Sequence, residues 1–126
     1  MRVPRKHGSI AVIAALAIPV AASAQEKFLD GAYGNKEGCT YANTGESSGA
    51  DSFFLLTDEA ITTAASYCAF KGPVRKSGAS FSVRIDCEEE GMEGSVEETV
   101  DIRRTGPAYS IIFEDGNTWG PLDKCK

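Results

Sequence analysis

Apolar residues along this chain come in short runs, and polar, glycine- and proline-rich stretches separate them. The clearest pattern spans residues 79–87. There Ala79, Phe81, Val83, Ile85 and Cys87 alternate with Ser80, Ser82, Arg84 and Asp86. A period of two predicts a strand with one apolar inward face and one polar outward face. Residues 52–57, with Phe53, Phe54, Leu55 and Leu56 in succession, read as a buried strand. Asp58-Glu59 makes a turn. Residues 60–70 are rich in β-branched and aromatic side chains and favour strand, with a short helix as the alternative allowed by the alanines.

Two further strands are expected at 95–104 and 108–114, separated by Thr105-Gly106-Pro107. Asp115-Gly116 is a hairpin signal, and Asn117-Thr118-Trp119 starts the return strand. Lys71-Gly72-Pro73 is expected to break the chain, Lys76-Ser77-Gly78 to turn it, and Gly120-Pro121 to interrupt the last strand. The small polar residues 42–51 read as a flexible loop, and residues 25–36 as a short strand or an irregular lead-in. No long amphipathic helix is expected. Six to eight short strands with frequent turns predict one all-β domain, a small antiparallel β-barrel or sandwich.

The first 24 residues change the picture of where the chain works. Arg2, Arg5 and Lys6 precede an apolar run from Ile10 to Val20, and Ala22-Ser23-Ala24 follows as a small-x-small cleavage pattern. Residues 1–24 therefore read as a signal peptide and residues 25–126 as the mature domain, directed to the periplasm or secreted. The run is shorter than the ~20 residues of a spanning helix, so no membrane span is expected after cleavage. Cleavage removes positive charge and no negative charge from a chain whose net charge is already −5, so the mature protein is more acidic still. It also removes His7, the one histidine. Catalysis by a histidine-containing triad or a Cys-His pair is thereby excluded.

Cys39, Cys68, Cys87 and Cys125 all lie in the mature part. An even number in a short exported chain reads as two disulfides, and the wide gaps lack the paired spacing of a zinc site. Three pairings are possible. The sequential one, Cys39–Cys68 with Cys87–Cys125, is the preferred reading.

Charge bears on partners. An acidic chain is a poor ligand for nucleic acid. The acidic run Asp86, Glu88, Glu89, Glu90, Glu93, Glu97 and Glu98 does not match the spacing of a calcium loop, and reads as a solvated turn beside an edge strand. Trp119 reads as a core residue more readily than as a surface anchor. Arg103 and Arg104 adjoin on a strand and so point to opposite faces. No catalytic residue, metal ligand or cofactor site emerges, and the chain is read as a non-enzymatic protein.

Ser77-Gly78-Ala79-Ser80-Phe81 resembles the Ser-Gly-Ala-x-aromatic segment of periplasmic inhibitors of c-type lysozyme. The match covers about five residues, with a looser echo of the family's Trp-x-x-Gly segment in Tyr109, Trp119 and Leu122. No basic residue stands beside Trp119; Lys124 lies later. The resemblance implies a small exported β-barrel whose serine-bearing loop enters an enzyme cleft and meets its catalytic carboxylates. It implies an inhibitory loop of Arg75, Lys76, Ser77, Gly78, Ala79 and Phe81, and a second contact through Tyr109, Trp119 and Lys124. The expected partner is a basic lysozyme or related cell-wall lytic enzyme, drawn in by opposite charge. The alternative is a structural or small-ligand-binding periplasmic barrel whose site is its apolar mouth.

Overall fold

The computed structural model describes residues 27–47, 49 and 51–126. The leader read over residues 1–24 lies outside the described residues. Eight strands close into an antiparallel barrel in which each strand pairs with its neighbour in sequence. In chain order these are β1 (Tyr33–Gly34), β2 (Phe54–Leu56), β3 (Ala60–Thr63), β4 (Ser66–Ser77), β5 (Ser80–Glu89), β6 (Val96–Thr105), β7 (Ala108–Ile112) and β8 (Thr118–Lys124). The two-residue β1 closes the seam, pairing with β2 on one side and with β8 on the other. Closure gives every strand a paired neighbour on both sides over part of its length.

The alternation read from the sequence sets the inward face. On β5, Val83 and Ile85 are buried and Phe81 and Cys87 half-buried, while Arg84 is exposed. Register carries this face around the wall: Phe81 opposes Ile102, Val83 opposes Val100, Ile102 opposes Ile111, and Tyr109 opposes Leu122. Leu56, Ile61, Ile85, Ile102 and Ile111 lose all contact with solvent. Burying each such side chain stabilises the fold by about 1.5–3 kcal/mol. The interior is therefore filled by side chains.

Four local expectations are corrected. Lys71-Gly72-Pro73 does not break the chain: β4 runs through it, and the extra residues form a bulge between Lys71 and Arg75. Proline is tolerated there because a bulge omits ladder hydrogen bonds. Gly120-Pro121 likewise lies inside β8, across a cis peptide bond, where the β7–β8 register shifts. Residues 60–70 form parts of two strands, β3 and β4, because Ala64-Ala65 turns the chain between them. Part of the expected 42–51 loop belongs to a helix, α1 (Lys36–Thr44). Asn35 caps it: its Oδ1 accepts from Gly38 N–H (2.9 Å) and from Phe54 N–H (3.1 Å), joining helix and β2 at one side chain. Gly45 ends it, donating its N–H to the Tyr41 carbonyl.

The disulfides pair Cys39 with Cys125 and Cys68 with Cys87, not sequentially. Register decides both. Cys68 stands directly opposite Cys87 in the β4–β5 ladder. The β1–β8 seam brings α1, which follows β1, beside the residue that follows β8. Two disulfides mark an oxidising, extracytoplasmic environment. No described helix is long and apolar enough to cross a membrane.

Candidate functional site

In an all-antiparallel barrel the connections alternate between its two ends. One end, the tip, carries residues 57–59, the β4–β5 turn, the β6–β7 turn and the chain leading into β1. The other, the mouth, carries residues 64–65, 90–95 and 113–117.

The β4–β5 hairpin is laddered to its last pair, Ser77 opposite Ser80. Gly78 and Ala79 alone form the turn, and Gly78 takes φ +62°, a conformation costly for a residue with a Cβ. Arg75, Lys76, Ser77, Gly78 and Ala79 are all exposed. Consecutive residues face opposite sides. Arg75 borders a hollow of about 260 Å³ with Gly72, Pro73 and Arg84, whereas Lys76 borders one of about 290 Å³ with Lys27, Phe28, Val74 and Phe81. Phe81 is an anchor for the hairpin and not part of its exposed tip. Its ring lies 4.8 Å from Phe28, edge to face, and 6.2 Å from Tyr109. Phe28 is itself held because Asp58 Oδ1 accepts from the Phe28 and Leu29 N–H groups, each at 2.8 Å.

The expected second contact is dispersed. Lys124 lies at the tip end, where Nζ pairs with Asp30 Oδ2 at 3.2 Å. Tyr109 is buried, packed edge-on against Tyr33 at 4.8 Å, and its hydroxyl accepts from Arg104 Nη1 at 3.2 Å. Trp119 belongs to the mouth end, 4.4 Å from Phe113 and 5.3 Å from Phe54. Tyr109 opposes Leu122, whereas Trp119 opposes Ile111, two positions nearer the mouth.

Arg104 and Lys27 are the tip-end cations that sequence reasoning did not gather with the hairpin. Arg104 sits on the inward face of β6 at its tip end, over the Tyr109 ring at 5.3 Å, with Nε donating to the Gly106 carbonyl. The signal was present in the alternation Val100, Ile102, Arg104, which places Arg104 on the core side of the strand. Beneath it, Tyr33 donates its hydroxyl to Asp30 Oδ1 at 2.7 Å. That hydrogen bond, with Lys124, holds the Asp30 carboxyl below its ordinary range. Burial, reinforced by Asp30, pushes the Tyr33 phenol up to about 12.

The mouth has the opposite charge. Trp119, Phe113 and the Cys68–Cys87 bridge, with Met92 and Val96, line a hollow of about 240 Å³ edged by Glu89, Glu93, Glu98 and Asp115. Of the acidic run of residues 86–98, Glu89, Glu93 and Glu98 thus border this hollow, while Glu97 pairs with Arg84.

The cysteines are all bridged, so they offer no thiolate for catalysis or metal binding. Among the described residues, no group of three or more acidic, cysteine or histidine side chains is gathered to hold a metal ion. The chain matches no protein-family model, no curated protein and no solved structure.

Proposed function

We propose that this chain is an exported, non-enzymatic binding protein of the periplasm or cell exterior that inhibits a lysozyme or related peptidoglycan-cleaving enzyme. The observation that carries this reading is the β4–β5 hairpin: basic, exposed, and laddered to its final residue pair at the tip of a filled barrel. A laddered hairpin loses little conformational freedom on entering a cleft, so little of its contact energy is offset by ordering. Arg75 and Lys76 bring two cations to carboxylates lining such a cleft, and the Ser77 hydroxyl both donates and accepts hydrogen bonds there. Lys27 and Arg104 add positive charge at the same end, where Asp30 pairs with Lys124, while the net negative charge of the whole chain favours a basic enzyme body. Inhibition then needs no chemistry, only occupancy of the cleft.

The test is titration of the oxidised protein into a c-type lysozyme acting on cell-wall substrate, with Lys76→Ala and Ser77→Ala variants, at two salt concentrations. Tight inhibition that weakens in both variants is the expected result. Inhibition lost with salt but indifferent to the variants means non-specific charge attraction, and it overturns hairpin insertion. No inhibition at micromolar protein removes c-type lysozyme as the target. A second reading, a barrel module that takes a small ligand at its mouth, is supported by the Trp119 hollow.

A further inference from the structure

We propose that the barrel mouth binds a small organic cation with an apolar or aromatic body, such as an aryl- or alkylammonium. The inference builds on the ligand-binding reading and is independent of the hairpin at the opposite end.

The walls supply an apolar seat. Trp119 and Phe113 meet edge to face at 4.4 Å, and the Cys68–Cys87 bridge lies below them. Met92 and Val96 are 63% and 60% exposed at the rim, the largest solvent exposure among the big apolar side chains of the described residues. The hollow measures about 240 Å³. That is below the ~300–1,000 Å³ of sites for drug-sized ligands, so it suits a single ring or a short alkyl chain.

The charge selects the ligand's sign. Glu89, Glu93, Glu98 and Asp115 line the hollow, and no lysine or arginine does. Glu98 is the informative member. It opposes buried Ile85 across the β5–β6 ladder, and buried Val100 follows two residues on, so its side chain occupies an inward-facing position that the strand's pattern reserves for apolar groups. It is half-buried, and Oε1 accepts from the Glu114 N–H at 3.3 Å. A carboxylate that breaks the pattern beside an indole provides the two attractions an organic cation uses, a counter-charge and an aromatic face.

Trp119 is the only tryptophan of the chain, so its fluorescence reports on the mouth alone. The probes are phenethylammonium, neutral 2-phenylethanol and anionic phenylacetate, which share one ring and differ in charge. Phenethylammonium is expected to give a saturable change at millimolar concentration, the alcohol a weaker one and phenylacetate none. Glu98→Gln should weaken the ammonium by about three- to tenfold and leave the alcohol unchanged. Glu93→Gln, at an exposed position, serves as a second variant that leaves the barrel wall untouched, and should weaken it less. Lys76→Ala should leave the titration unaltered, which separates failure of this site from failure of the hairpin. Equal binding of ammonium and alcohol, or no saturable response to any probe, overturns the proposal. Binding of a short Leu-Lys-Leu peptide far more tightly than phenethylammonium would overturn the small-molecule assignment in favour of a partner protein's lysine.

Discussion

Removing the Cys39–Cys125 bridge should cost more stability than removing Cys68–Cys87, although the latter is the more deeply buried. The bridges close chain segments of very different length, 86 and 19 residues apart in sequence. If a bridge acts by restricting the unfolded chain, its contribution grows with the logarithm of that length. The relation gives about 4.6 kcal/mol for the long loop and about 3.2 kcal/mol for the short one. A domain of this size has about 5–15 kcal/mol in total, so either loss is a large part of it. The long bridge also fastens α1 to the end of β8, next to a seam whose first strand has only two residues. The assay is urea unfolding of Cys39→Ala/Cys125→Ala and Cys68→Ala/Cys87→Ala double variants, each with its remaining bridge intact, analysed by linear extrapolation. The competing account is native-state packing. Cys68 is 1% exposed, and the short bridge touches the core, whereas Cys39 and Cys125 sit half-buried outside it. If packing dominated, the order would invert. A Cys68/Cys87 variant less stable than the Cys39/Cys125 variant would refute the chain-restriction argument.

Two further outcomes test the tip network and the helix seat. Tyr33→Phe removes the hydroxyl that Asp30 accepts and should cost about 1 kcal/mol near neutral pH in a thermal melt. The folded-state Asp30 pKa is depressed, so its contribution is present above the unfolded carboxylate value and lost as pH falls through the folded one. Tyr33 is raised to about 12, so its contribution holds below pH 10 and is lost as pH rises toward 12. A Tyr33→Phe variant should therefore show a flatter stability profile at both extremes, and an unchanged acid limb would refute the coupling. Gly38→Ala would drive a Cβ into the Phe54 carbonyl oxygen, so α1 must lift from β2. Overpacking of this kind costs about 1–3 kcal/mol or more, and equal urea midpoints for variant and parent would contradict the close approach.

Much of this fold was legible because strand chemistry is local. The two-residue period of 79–87 sufficed to name the inward face of β5, and the Asp115-Gly116 and Ser77-Gly78 turns marked their hairpins. What misled was chemistry whose outcome depends on neighbours. Proline at positions 73 and 121 reads as a stop, yet a register shift with its extra length in the proline's own strand absorbs each one. The helix 36–44 has almost no apolar stripe to reveal it. It is held by the Asn35 cap, by Gly38 against β2 and by a bridge to a residue far along the chain.

The candidate site divides the same way. Residue types alone marked the Ser77-Gly78 turn before the alternating strand, but not the strand through Gly72-Pro73 that makes it a laddered hairpin. They also determined that four cysteines in such a chain would pair. Which cysteines pair, and which aromatic and charged groups share an end, was decided only when the barrel closed. Closure sets Cys68 opposite Cys87, brings Lys27 beside Lys76 and puts Arg104 and Lys124 at the hairpin's end of the barrel, and carries Trp119 to the far end among carboxylates. The physical reason is that period and turn chemistry act over a few residues, whereas register and closure are long-range. They are selected by burying one continuous face, and no stretch of sequence contains that choice by itself.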